Sequence, residues 1–120
     1  MLALVLFFSV SKIAFAATTD FNVQLPTTGS KTSNDVLKET SNTYATYNCS
    51  YFGWPGSGVD MWVQNTSNSD LSSKSNFSGT GVKYMYLSST IANKYKGQRV
   101  HMKAKTDLKQ TQVHGMPVIL

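Results

Sequence analysis

The feature that most constrains the fold of this chain is the alternation of apolar and polar residues in short segments. It is clearest in residues 98–105, where Val100, Met102 and Ala104 alternate with polar or cationic residues. A period of two places successive side chains on opposite faces of a β-strand. Apolar residues at helical spacing are almost absent from the rest of the chain. The pattern therefore predicts strands.

Other segments share this alternation, or an enrichment in aromatic and β-branched residues. They are residues 21–25, 44–52, 59–64, 82–87 and, more weakly, 112–114. The glycine-rich turn at 53–58 suggests a hairpin between its two flanking strands, and residues 82–87, apolar on both faces apart from Lys83, suggest a central strand. We predict an all-β fold, a small antiparallel β-sandwich of five to six strands preceded by a signal-peptide helix.

The segments between these strands are richer in polar residues. Residues 27–35 and 88–97 are expected to be connections, and Val36 to Glu39 could start a short helix. Residues 65–81 contain many serines and asparagines and predict a long exposed connection, anchored by Leu71 and Phe77. The apolar residues 116–120 are expected to lie at a sheet edge or to reflect a truncated gene.

The N-terminal residues predict export. Met1 to Val10 form an apolar run too short to span a bilayer, and Ala14 and Ala16 precede Ala17 in the pattern that signal peptidase accepts. No Lys or Arg precedes the run. We predict a signal peptide at residues 1–16, a secreted, extracellular protein, and a single β-sandwich domain at residues 17–120.

Cys49 is the only cysteine, so an internal disulfide is impossible. It lies on the apolar side of an alternating segment, which predicts a buried thiol that behaves as a small hydrophobic residue. Intermolecular pairing and a reactive nucleophile are the alternatives.

The charge balance favours anionic partners. Without Lys12, ten of the eleven basic residues remain against six acidic ones, a formal charge of +4. Arg99, His101, Lys103 and Lys105 share one face of the 98–105 strand, about 6.5–7 Å apart. This row predicts contact with an anionic cell envelope or membrane surface, and no nucleic acid is expected. The alternative is a solvated face whose lysines discourage aggregation.

Trp54 is a second candidate contact residue because it lies within the 53–58 turn, where an indole ring can stack on a sugar or sit at a membrane interface. Most of the other aromatic residues are expected to form the sandwich core and cross-strand pairs.

Motifs for catalysis, metals and cofactors are missing. His101 and His114 are the only histidines, and their spacing from Cys49 matches no metal or nucleophile motif. No phosphate-binding glycine loop is present. We expect no enzyme activity, no metal and no cofactor.

Several motifs carry a resemblance. These are Phe21-Asn22-Val23, Met61-Trp62-Val63, Gly79-Thr80-Gly81 and the strand from Tyr84 to Leu87. They resemble a group of small exported proteins of Gram-positive bacteria, of unknown function, some of which are encoded beside bacteriocin-like genes. A C-terminal Gly-x-Trp-Ser-Pro motif of that group is represented here by Gly115-Met116-Pro117, without the tryptophan. In size, export and β content the chain is also similar to lactococcin-972-like bacteriocins. The resemblance supplies no functional residues.

Together these features predict a secreted, non-catalytic β-domain that acts at cell surfaces, in an antimicrobial or bacteriocin-like role. The alternative is a passive envelope or extracellular structural protein without a specific ligand.

Overall fold

The alternating segments form two antiparallel sheets in the computed structural model, which describes residues 20–120; the predicted signal peptide lies outside these residues. Sheet A has the strand order β1 (Val23–Leu25), β9 (Thr111–Ile119), β4 (Tyr44–Gly53) and β7 (Gly81–Tyr86). Sheet B has the order β2 (Lys31–Thr32), β8 (Gln98–Thr106), β5 (Val59–Asn65) and β6 (Ser75–Phe77), and β3 (Val36–Lys38) also pairs with β8. A short helix, α1 (Ser89–Lys94), precedes β8.

The core lies between the inner faces of the two sheets, as alternation requires. On β8 the inward residues Val100, Met102 and Ala104 are fully buried. The ring of Tyr47 crosses from β4 into this core, and its hydroxyl donates a 2.8 Å hydrogen bond to the carbonyl of Phe21. The predicted all-β sandwich is thus confirmed. The described residues contain more strands than predicted because β2, β3 and β6 are only two or three residues long.

The predicted hairpin across residues 53–58 is wrong. β4 pairs with β7 and β9 in sheet A, whereas β5 pairs with β6 and β8 in sheet B. The turn therefore carries the chain from one sheet to the other. Hydrogen bonds hold it against the β8–β9 turn: the Gly56 amide donates to the carbonyl of Gln110, and the Ser57 hydroxyl accepts from the Leu108 amide. Strand alternation alone does not distinguish a hairpin from such a crossing.

The prediction of a central strand at residues 82–87 is also wrong. β7 is at the edge of sheet A, where its inward Met85 is fully buried. Val82, Tyr84 and Tyr86 point outward and are about half exposed. Apolar residues on both faces are typical of a strand covered on both sides. Here one face remains uncovered in the described part of the chain.

The expected helix start at Val36 is the strand β3, with Val36 and Lys38 facing inward. The buried Lys38 ammonium donates hydrogen bonds to the carbonyls of Thr40, Asn42 and Leu120, at 2.6–2.9 Å. Burial lowers its pKa. These three acceptors explain how a lysine can occupy a core position.

The connections also contain regular structure. Residues 65–81 include β6, and the predicted anchors Leu71 and Phe77 are both buried. Residues 88–97 include α1, whose first turn is capped by the Ser88 hydroxyl accepting from the Ile91 amide. Residues 116–119 belong to β9 and pair with β4 on one side, whereas β1 pairs only with residues 111–113 of β9, so the apolar run extends past the end of β1.

Candidate binding face

The outer face of sheet B brings cations and one indole ring together. Register pairs Lys103 of β8 with Trp62 of β5, and Lys105 with Asp60. Because Val59, Met61 and Val63 fill the inner face of β5, Trp62 must point outward. Yet this outward indole is buried, because neighbouring side chains cover it.

Three lysines line a pocket together with Trp62. Lys74, which precedes β6, places its Nζ atom 4.4 Å from the centroid of the indole ring, within cation–π range. Lys74, Lys103 and Lys105 line an open pocket of about 320 Å³ together with Trp62, Gly29 and Ser30. We call this the lysine pocket. It is formed by the strands β5 and β8, the loop before β2 and the residue that precedes β6, so it exists only in the folded sheet.

A chain of hydrogen bonds fixes the indole at the base of the pocket. Trp62 Nε1 donates to the Asp70 carboxylate at 2.6 Å, and Gln64 Nε2 donates to the same oxygen at 2.8 Å. These two hydrogen bonds lower the pKa of Asp70. Asp70 therefore stays ionised and keeps the Trp62 ring in one orientation.

No carboxylate in the part of the chain that the structure describes lies within salt-bridge distance of the three lysines. Within residues 20–120 the one ion pair joins His101 Nδ1 to Asp35, at 3.0 Å. Lys74 and Lys103 interact electrostatically with the Asp70 carboxylate, but that carboxylate accepts its hydrogen bonds from Trp62 and Gln64. The ammonium groups are thus available to an anion from solution.

The predicted row of cations on β8 is only partly realised. Lys103 and Lys105 line the pocket, and Arg99 is exposed outside it, opposite Leu37 of β3. The prediction is wrong at His101, which is buried rather than exposed. Its Nε2 lies 3.2 Å from Gln64 Oε1 and its Nδ1 faces Asp35, so both ring nitrogens already have partners.

Trp54 lies apart from this site. It is half exposed in the β4–β5 turn, with a positive φ of 62°, and it does not line the lysine pocket. The sequence interpretation missed four of the six residues that line the pocket, namely Gly29, Ser30, Trp62 and Lys74. Trp62 could have been found from the alternation of β5, whereas Lys74 lies in a serine-rich segment that carries no signal of its position.

The residues considered for catalysis are not brought together. Cys49 faces the core of sheet A, where burial raises the pKa of its thiol. His101 is on the outer face of sheet B, and His114 is on the outer face of sheet A, where its ring lies 5.1 Å from that of Tyr51. Among residues 20–120, no three His, Cys, Asp or Glu side chains cluster as a metal site would require. In the same range, no helix has the length and apolar character needed to cross a membrane.

Comparison with known proteins adds no relative. No family model, no curated protein and no solved structure matches this chain. The site must therefore be interpreted from its own chemistry.

Proposed function

We propose that this protein is a secreted, non-catalytic β-sandwich domain that acts at cell surfaces by binding anionic groups of an envelope polymer or membrane. The lysine pocket is the contact site. One observation carries the proposal: three lysines line one pocket together with a fixed indole ring, and none of them forms an ion pair with another residue of the described chain.

The physical basis is electrostatic attraction at a partly enclosed surface. A cluster of cations with one low-dielectric side attracts anions more strongly than isolated surface lysines do. Near an anionic membrane each Lys contributes about 1 kcal/mol, and the attraction is screened over about 8 Å at physiological ionic strength. Binding should therefore weaken steeply as salt is added.

The test is a double charge reversal, Lys103→Glu with Lys105→Glu. Loss of two attractive charges alone weakens binding by at least about thirtyfold at low salt, and the introduced carboxylates weaken it further. Binding is measured by co-sedimentation with Gram-positive cell envelopes and with vesicles that contain an anionic lipid. The two preparations distinguish an envelope polymer from a lipid headgroup.

The matched control is Lys94→Glu with Lys96→Glu. Both residues are exposed in or just after α1, and the net charge changes equally. We expect this control to bind nearly as the unchanged protein does. Equal weakening by the two double variants would show that only net charge matters, and equal binding by all three proteins would favour the passive structural role.

The resemblance to bacteriocin-associated proteins supports an antimicrobial form of this function. We expect the protein to inhibit growth of some Gram-positive strains, and the Lys103→Glu, Lys105→Glu variant to lose that inhibition. Complete inactivity across a broad strain panel would contradict the antimicrobial role. It would not affect the conclusion about anion binding, which depends on co-sedimentation alone.

A further inference from the structure

The outer face of sheet A carries an unusual concentration of exposed aromatic and apolar side chains. Eight large hydrophobic residues are exposed in the described chain, and six of them lie on this face: Tyr44, Tyr51, Val82, Tyr84, Tyr86 and Met116. Contiguous exposed patches of this kind mark interaction sites. The other two, Trp54 and Leu108, lie in turns.

Three of the tyrosines form a continuous cluster at the β7 edge of the sheet. The ring centroids of Tyr44 and Tyr84 are 5.7 Å apart, and those of Tyr84 and Tyr86 are 6.2 Å apart with nearly parallel planes. We call these three residues the tyrosine cluster. Tyrosine offers a large apolar ring with a polar hydroxyl, so it can contact a ligand that is itself both apolar and hydroxylated.

A polar pocket lies on the same face, toward β9 and β1. It has a volume of about 380 Å³ and is lined by Asp20, Asn22, Asn48, Ser50, His114, Gly115 and Met116. Asn22 Oδ1 accepts a 3.0 Å hydrogen bond from the Gly115 amide, which leaves the Asn22 side-chain NH₂ as a donor. The Asp20 carboxylate supplies acceptors and Asn48 supplies both kinds of group. We call this the amide pocket.

The amide pocket and the tyrosine cluster lie along one line of the sheet. Asn48, Thr46 and Tyr44 are successive outward residues of β4, which places Tyr44 about 13 Å from Asn48. Thr46 is also paired with Tyr84 of β7. A ligand that contacts both regions must therefore be longer than a single sugar ring.

Charge decides which ligand fits this face. No Lys or Arg points outward from the four strands of sheet A, since Lys83 faces inward and its Nζ donates to the Thr80 carbonyl. Among the described residues that line the amide pocket, the one formal charge is the carboxylate of Asp20. An anionic polymer would be repelled here, whereas an uncharged ligand rich in hydroxyl groups would find donors, acceptors and aromatic rings.

We propose that the outer face of sheet A binds a neutral polysaccharide, whose hydroxyls bond in the amide pocket and whose sugar rings pack on the tyrosine cluster. This site is separate from the lysine pocket and does not depend on the function proposed for it. The domain then has two binding faces of different chemistry on opposite sides of one sandwich.

The test is depletion of the purified protein from solution by insoluble neutral polysaccharides, namely cellulose, chitin, β-1,3-glucan and starch. The unchanged protein should bind at least one of them, with little effect of added salt. Tyr84→Ala with Tyr86→Ala should raise the dissociation constant about tenfold or more, because the variant loses two ring contacts. Asn48→Ala should raise it severalfold through the amide pocket.

Two matched controls isolate the face. Leu108→Ala removes an exposed apolar side chain from a turn outside sheet A, and Lys103→Glu with Lys105→Glu alters the opposite face. Both should bind the polysaccharide like the unchanged protein. If the double tyrosine variant melts early, the exposed Asn48→Ala substitution still tests the site.

Three outcomes would overturn the proposal. They are no depletion by any of the four polymers, equal depletion of the unchanged protein and the sheet-A variants, or a tyrosine-dependent dimer in analytical ultracentrifugation without polysaccharide binding. Tyrosine-dependent binding to uncharged lipid vesicles, without binding to polysaccharide, would assign the face to membranes and would also overturn it.

Discussion

The two outer faces of this sandwich differ in how far their aromatic side chains are exposed to solvent. On sheet B, Trp62 is buried beneath Lys74 and fixed by a hydrogen bond to Asp70, so the ring is part of the folded structure. On sheet A, Tyr84 and Tyr86 are about half exposed, and the ring of Tyr84 lies next to the rings of Tyr86 and Tyr44. An aromatic ring that the fold already covers supports the site around it, whereas an uncovered ring is available to a partner.

The faces also differ in charge. Sheet B presents lysines without ion-pair partners in the described residues, and sheet A presents no outward Lys or Arg on its strands. Because the two surfaces point in opposite directions, one flat partner cannot touch both at once. Each face must therefore be tested with its own ligand.

The largest expected effect is on stability, at Trp62. Trp62→Ala should lower the free energy of unfolding by about 3 kcal/mol, because a buried ring is lost and Asp70 loses a hydrogen-bond donor. Tyr86→Ala on the other face should cost less than about 1 kcal/mol. Urea denaturation followed by fluorescence and circular dichroism measures both. Similar costs for the two substitutions would remove the distinction between a covered and an uncovered ring.

The next effect concerns how sheet A is anchored beneath its exposed face. A Cβ atom at Gly115 would collide with the Asn48 carbonyl and would lie 2.6 Å from a ring carbon of Tyr47. The Tyr47 side chain cannot move aside freely, because it is fully buried and its hydroxyl is hydrogen-bonded to the Phe21 carbonyl. Gly115→Ala should therefore cost about 1–3 kcal/mol in thermal or urea unfolding.

Gly29→Ala is a poor control for that substitution, since its φ of 89° is strained for any residue with a Cβ atom. Gly79→Ala is suitable, because its Cβ would meet no atom within 4 Å and its φ is not in the left-handed region. Equal stability of Gly115→Ala and Gly79→Ala would show that β4 and β9 are less closely packed than described.

The smallest effect is a pH dependence confined to sheet B. Hydrogen bonds from Gln64 and Trp62 lower the pKa of Asp70 in the folded protein, so its carboxylate stabilises the fold above the unfolded pKa. That contribution is lost as the pH falls through the lowered folded pKa. The stability difference between the unchanged protein and Asp70→Asn should shrink from about pH 5 to about pH 2. A stability difference that does not vary with pH would contradict this role of Asp70. Tyr86→Ala is the control, because the stability it loses relative to the unchanged protein should be the same across this pH range.

The sequence correctly predicted which residues face the core, but it predicted poorly which strands pair with each other. Val100, Met102 and Ala104 were assigned to the core from alternation alone, and all are buried. The hairpin between β4 and β5 was not realised, because a short turn can join strands of one sheet or cross between two. That choice depends on which distant strand satisfies each backbone N–H and C=O group.

The candidate site shows the same limit. Alternation placed Lys103 and Lys105 on an outer face, where they line the lysine pocket. It gave no sign that Lys74 would join them, because β6 is held by long-range pairing with β5. His101 followed the alternation but is covered by Gln64 and Asp35, which come from separate parts of the chain.

By itself, then, the sequence determined that this chain forms strands and which side of each strand is apolar, because the two faces of a strand follow from local geometry. Only the tertiary structure decided which strands are neighbours, that Trp62 is covered while Tyr84 and Tyr86 are not, and that three lysines share one pocket. The reason is that sheet order is set by backbone pairing between residues far apart in sequence, and cross-strand neighbours exist only once that pairing is made.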